Sequence, residues 1–257
     1  MKVFYFSGTG NSLYVAKKFS TEMYSIPQLM KEGRLEFEDE SIGFVFPCYS
    51  FGLPRMVLDF LKKSKLKASY YFGVMTYGNM AGSGLSHLEE ISGQVGIKFN
   101  YTAEILMADN YLPMFKMEDQ SVKDSNADIE KNLEEIALDI AARKNKLTRK
   151  GLASVTFSKL VHLSYKGMLD EADKKFIVQE SCNGCGICQK VCPKKNIVVK
   201  EKAKFQHRCD SCYACIHNCP RNAIHLKNER SKARYINENI VLKELIAANN
   251  QAADLGI

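Results

Sequence analysis

The 257-residue sequence has no tryptophan, only six prolines and five histidines, and no long apolar run. Its longest stretch without a charged side chain, residues 68–88, is broken by Gly73, Gly78, Asn79, Gly82, Gly84 and three serines. Such a stretch is too polar to span a bilayer, so no membrane span is expected. The opening residues MKVFYFSGTGNS contain one early lysine but no sustained apolar region and no small-residue cleavage site. A secretory leader is therefore not expected, and the expected compartment is the cytoplasm. A composition of 46% hydrophobic and 25% charged residues excludes disorder and fibrous repeats. Neither a Ser/His/Asp arrangement nor a pair of carboxylates points to a hydrolase.

The cysteines are unevenly placed. Cys48 stands alone in the first half, and the other eight lie between 182 and 219. Charge divides at the same place: residues 1–145 carry 16 basic and 19 acidic side chains, and residues 146–257 carry 20 and 10. The chain thus reads as a slightly acidic domain followed by a basic, cysteine-rich one. No recognition-helix or aromatic-platform pattern accompanies the basic half, so nucleic acid is not an expected partner. A surface of this sign suits docking on acidic redox partner proteins.

The eight clustered cysteines form a repeat. Cys182, Cys185, Cys188 and Cys192-Pro193 recur 27 residues later as Cys209, Cys212, Cys215 and Cys219-Pro220. Three closely spaced thiolates followed by a Cys-Pro is the bacterial iron–sulfur run, in which the fourth cysteine ligates the other cluster. The spacing therefore predicts one [4Fe–4S] cluster on Cys182, Cys185, Cys188 and Cys219. A second is predicted on Cys209, Cys212, Cys215 and Cys192. The crossing has a steric basis, because a residue preceding proline is extended and points away from its own loop. Gly184 and Gly186 let backbone N–H groups approach the sulfurs. Structural zinc uses two separated cysteine pairs, and a disulfide framework needs an oxidising compartment, so neither fits as well.

In the first half, the apolar run Lys2–Phe6 leads directly into Ser7-Gly8-Thr9-Gly10-Asn11-Ser12 and then a helical pattern, Leu13, Ala16, Phe19. A strand, a hydroxyl-rich turn and a helix start make an anion site, where free N–H groups and the helix dipole converge. The turn lacks the Gly-Lys-Ser/Thr of a nucleotide triphosphatase and the third glycine of a dinucleotide fingerprint. It suits a phosphate monoester such as that of FMN. Two more apolar strands, Ile42–Phe46 and Tyr70–Met75, end in loops bearing Pro47, Tyr49, Phe51 and Gly52, and Thr76, Tyr77, Gly78 and Asn79. In an open α/β sheet such loops meet at the carboxyl ends of the strands, where ligands bind. Tyr49 and Tyr77 are the expected stacking residues. Cys48 reads as a small buried hydrophobe. A strand from Phe99 to Met107 and a helix marked by Ile129, Leu133, Ile136 and Ile140 close the domain, with a short second strand expected between Tyr24 and Glu40.

These motifs resemble two families joined in one chain. Residues 1–145 resemble a flavodoxin, and residues 177–227 resemble a two-cluster bacterial ferredoxin. The order and length are similar to those of flavodoxin–ferredoxin fusion proteins of anaerobes. The resemblance implies an α/β fold with a doubly wound, parallel five-stranded sheet, followed by a small α+β ferredoxin-like domain. It also implies FMN in the first domain and low-potential electron transfer through the clusters. Flavodoxins often stack tryptophan on the flavin. This chain must use tyrosine or Phe51 instead. Residues 146–176 are expected to form a helical connector, with Leu152, Val155, Leu160, Leu163 and Met168 packed inward. Residues 228–257 are expected to form a basic segment and a helix with Val241, Leu245 and Ile246 inward. The expected function is an electron-transfer iron–sulfur flavoprotein; the alternative is a pure carrier whose first domain only docks partners. No catalytic residue is assigned.

Overall fold

A computed structural model describes residues 1–120 and 127–251. Five strands form one parallel sheet: β1 (Lys2–Tyr5), β2 (Met23–Ser25), β4 (Ser41–Pro47), β6 (Tyr70–Tyr77) and β7 (Tyr101–Leu106), in the order β2-β1-β4-β6-β7. Val3, Phe4, Ile42, Phe44, Val45, Phe46, Phe72 and Val74 are fully buried. Strands covered on both faces read as continuous apolar runs, which is why the central ones were legible. Helix α1 (Asn11–Phe19) packs beside α5 (Ala127–Ala141), while α3 (Arg55–Lys63) lies between α2 (Ile26–Glu32) and α4 (Gly84–Gln94). These two layers cover the sheet. Ile129, Leu133, Ile136 and Ile140 are buried, as the helical spacing required. A side pair, β3 (Glu36–Glu38) with β5 (Lys65–Lys67), is joined by two exposed Lys–Glu pairs.

The chain leaves β1 for the edge strand β2 and then returns across β1 to β4. The strand order reverses between β1 and β4, which opens a crevice at their carboxyl ends.

The second region carries the repeat into three dimensions. Strand β8 (Phe176–Val178), helix α7 (Ile187–Lys190) and strand β9 (Ile197–Val199) recur, 27 residues on, as β10 (Ala203–Phe205), α8 (Ala214–His217) and β11 (Ile224–Leu226). The strands do not pair within a repeat. β8 pairs with β11 and β10 with β9, both antiparallel, in equivalent registers: Val178 faces Ile224 and Phe205 faces Ile197. The positive φ angles repeat as well: Gly184 with Ser211, Gly186 with Tyr213, and Lys195 with Asn222. The second loop therefore keeps the left-handed backbone of the first without its glycines.

Between the two regions lies α6 (Leu152–Met168), and after them α9 (Leu242–Asn249). Two expectations need correction here. On α6 the inward side chains are Ser158 and His162, whereas Leu152, Leu160 and Leu163 are 62% or more exposed. The Met168 side chain lies outside the described residues. At α9, Leu245 is buried, but Val241 precedes the helix and is exposed; its N–H donates to the Glu244 carboxylate. Val191, Cys212, Ala214, Ile240, Leu245 and Ala248 join the same apolar core as the sheet. Among the described residues, no helix is long and apolar enough to cross a membrane.

Candidate iron–sulfur and cofactor sites

Each cysteine loop opens into a short helix, and each lines its own small pocket. Cys182, Cys185, Cys188 and Cys219 line one, and Cys192, Cys209, Cys212 and Cys215 line the other. These are the two crossed quartets that the spacing predicts. None of the eight is in a disulfide. Backbone N–H groups point at the sulfurs at equivalent places in the repeat: Asn196 N–H to Cys192 Sγ at 3.3 Å, and Ala223 N–H to Cys219 Sγ at 3.2 Å. Ser211 N–H adds a third, to Cys209 Sγ at 3.3 Å. Hydrogen bonds of this kind tune a cluster's potential. Burial pushes the free Cys188 and Cys209 thiols up to about 12 and raises Cys192, Cys212 and Cys215 too. Only a bound metal would make thiolates of them at neutral pH. Among the described residues, no three His, Cys, Asp or Glu side chains converge tightly enough for a single ion. Four cysteine sulfurs lining one pocket are the donor set that a [4Fe–4S] cluster takes.

A third pocket lies in the crevice at the carboxyl edge of the sheet. Ser7, Gly8, Thr9, Asn11, Ser12, Pro47, Tyr49, Thr76, Tyr77 and Gly78 line it, so the three expected loops do meet. Four expected residues are not among its lining. Gly10 is the N-cap of α1, at φ 106°. Phe51 turns away to pack on Phe157 with ring centroids 6.1 Å apart, and Gly52 lies beneath the His162 ring. Asn79 is exposed. Phe51 therefore does not stand in for the missing tryptophan.

The turn preceding α1 has the features of an anion site. No side chain caps the helix, so no side-chain cap satisfies its first N–H groups. Ser7 Oγ accepts from Gly10 N–H at 3.1 Å, and the Ser12 and Thr76 hydroxyls share a hydrogen bond of 2.8 Å. The Tyr49 hydroxyl is buried, with no hydrogen-bond partner among the described residues. Its burial, then the neighbouring Cys212, hold its pKa well above the usual tyrosine value. Cys48 also lines the cavity; burial pushes its thiol up to about 12, so it is no thiolate.

Sequence reasoning missed Ala108, Asp109 and Asn110, which complete the lining. They follow β7, whose carboxyl end opens on the same edge, so topology alone could have nominated them. Asn110 Nδ2 donates to Thr9 Oγ1 at 2.9 Å, and Asn11 Nδ2 donates to the Ala108 carbonyl at 2.9 Å. His217, between two cluster cysteines, donates through Nε2 to the Asn110 carbonyl at 2.9 Å and accepts the Tyr235 N–H at Nδ1, 3.1 Å. Burial lowers its pKa to about 4 and keeps it neutral, consistent with one donating and one accepting nitrogen.

The C-terminal segment also reaches the turn. Asn237 N–H donates to the Thr9 carbonyl at 2.9 Å, Tyr235 Oη to Asn11 Oδ1 at 2.6 Å, and Asn249 Nδ2 to the Ser7 carbonyl at 2.9 Å. The basic run before it is only partly a free surface. Arg234 is folded onto Glu229 and the Ile224 carbonyl, and Arg230 donates to the Pro113 carbonyl.

Residues 181–224 match the 4Fe-4S dicluster domain, so this part of the chain is similar to a two-cluster ferredoxin. That match supports an iron–sulfur electron-transfer role. No curated protein matches the chain. A comparison of folds found the Trp repressor binding protein from Bacillus subtilis, 16% identical, over 57% of this chain and 100% of that one. Its TM-score of 0.36 is too low to carry an argument.

Proposed function

We propose that the protein is an electron-transfer iron–sulfur flavoprotein, with two [4Fe–4S] clusters on the crossed cysteine quartets and FMN in the crevice of the sheet. The carrying observation is that three separate motif loops, each ending a parallel strand, line one cavity beside the cysteine loops. FMN bound there supplies a centre able to exchange one or two electrons, whereas a cluster moves one at a time. The chain's own part is to bind and orient. The uncapped start of α1 with Ser7, Thr9 and Ser12 would take the phosphate. Tyr49, Tyr77 and the backbone about Gly78 would meet the ring. Domain limits near 145, 177 and 227 belong to the same proposal.

A second reading, a pure carrier with no flavin, draws support from the packing of the turn. Its residues are nearly buried, and Asn237, Tyr235 and Asn249 already hold three of its oxygens. Anaerobic purification followed by iron, sulfide and flavin analysis separates the two. About eight iron per chain with one FMN after reconstitution is expected, as two four-iron clusters require. The same iron with no bound flavin leaves the carrier.

A further inference from the structure

The 27-residue repeat provides an internal control, because equivalent positions in its two copies should have equivalent surroundings. They do not. Cys185 is exposed, whereas its counterpart Cys212 is buried; Cys182 is half-buried, whereas Cys209 is buried. Exposed Asn183 corresponds to Asp210, which is buried and accepts from Arg55 Nε of α3 at 2.7 Å. Exposed Arg221 corresponds to Lys194, drawn to 3.9 Å from both Asp59 of α3 and Asp210. The α/β domain therefore covers one copy and leaves the other open.

The covered copy touches the sheet's cavity directly. A methyl group at Gly8 would stand 2.8 Å from the Cys212 carbonyl oxygen and 3.4 Å from the Tyr49 hydroxyl. Arg55 also donates to the Cys209 carbonyl at 3.2 Å, and Tyr165 Oη to the Asp210 carbonyl at 3.0 Å. The open copy has the opposite character. Its cavity is lined by residues 182–224 alone, Arg221 among them, and around it Lys190, Lys200 and Lys202 outnumber the exposed Glu180, which pairs with Lys202, and Glu201.

We infer that the two clusters have fixed and unequal roles: the centre on Cys192, Cys209, Cys212 and Cys215 is the inner one, coupled to the crevice of the sheet, and the centre on Cys182, Cys185, Cys188 and Cys219 is the outer one, where an acidic one-electron protein partner docks. The inference rests on the two-cluster reading but not on FMN. At each encounter the partner would lose one electron, taken up at the centre that Cys182, Cys185, Cys188 and Cys219 would hold and passed on to the one that Cys192, Cys209, Cys212 and Cys215 would hold, with no bond made or broken. With an oxidised partner the same route runs outward. Electrostatic guidance is the reason for the partner's acidity: a basic rim about the exposed cluster raises encounter rates with a surface of opposite charge.

Two measurements on the anaerobically purified full chain test this. In stopped flow with a reduced acidic two-iron ferredoxin, Arg221→Glu is expected to slow cluster reduction about tenfold at low salt. Lys195→Glu, an exposed reversal beside Cys192, should stay within about twofold. In EPR of the reduced protein, Cys185→Ser marks the outer signal, with Asn183→Asp as the substitute marker where the serine ligand prevents assembly. Gly8→Ala should alter the other signal and leave the marked one unchanged. Equal slowing by both charge reversals overturns the inference, as does Gly8→Ala altering the marked signal. Four iron or fewer per chain would instead end the two-cluster reading itself, before any roles are assigned.

Discussion

At the scale of single residues, close approach decides several positions. A side chain at Gly43 of β4 would overlap the Phe72 ring, in a core whose neighbouring strands are fully buried. Overpacking of that kind costs about 1–3 kcal/mol, so Gly43→Ala should lower Tm measurably in thermal unfolding, with the iron content unchanged. His217 gives a pH dependence whose sign follows from burial. Its pKa is about 4 in the folded chain, below the ordinary histidine value of 6.5. The unfolded chain therefore binds more protons in that interval. Stability is complete above about 6.5 and is lost as the pH falls toward 4. His217→Gln retains a donor but cannot be protonated. Denaturant titrations between pH 7 and 5 should show a shallower loss for the variant, and equal slopes would refute the assignment.

At the scale of elements, α3 shows how a local rule yields to a long-range partner. A cation in the first turn of a helix opposes the helix dipole, yet Arg55 is the first residue of α3. It is there because Asp210, whose side chain is 1% exposed, needs its charge matched. Arg55 is only partly buried and Lys194 also lies 3.9 Å from Asp210, so Arg55→Ala, which removes a charged hydrogen bond, should destabilise the fold by about 1.5–3 kcal/mol. The same variant should disturb the inner cluster's EPR signal more than the outer one. The segment before and within α9 acts on the turn in a similar way. Asn249→Ala removes one buried hydrogen bond to the Ser7 carbonyl, worth roughly 1–2 kcal/mol. Fluorescence titration should show weaker FMN binding, because the turn would lose one of its braces.

The elements also show what could be read from the chain. The cysteine loops were legible because cluster ligation demands a fixed spacing, and the repeat states that spacing twice. Central strands were legible because burial on both faces leaves continuous apolar runs. Helix α6 was legible as a helix but its inward face was not, because its leucines face outward while Ser158 and His162 face in, so its apolar pattern marks the wrong side. Phe51 was misplaced for another reason. The resemblance to flavodoxins nominates an aromatic residue for stacking, but Phe51, at a positive φ of 64°, packs on Phe157. Asn110 bears no motif, and only the fold brings it to Thr9.

For the molecule as a whole, the two regions are joined through a shared apolar core, and the crevice lies against that junction. A ligand bound only by the folded chain raises stability by mass action. FMN at a hundredfold excess over its Kd should add about 2.7 kcal/mol, read as a rise in Tm. No rise at saturating FMN would favour the carrier reading.

The strand pairing of the repeat has one more consequence. Among the described residues, β8 pairs with β11 and β10 with β9, and each proposed cluster borrows its fourth thiolate from the opposite copy. Half of this region is thus an open shape with an unmatched strand at either end and three corners of a cage. Supplied alone as a peptide with iron and sulfide, one half could close only around an identical twin, as a symmetric pair enclosing two cages. The tandem chain is such a pair made permanent by the link between β9 and β10. Once tied, its two faces were free to diverge, one turned inward to the sheet and the other left to solvent.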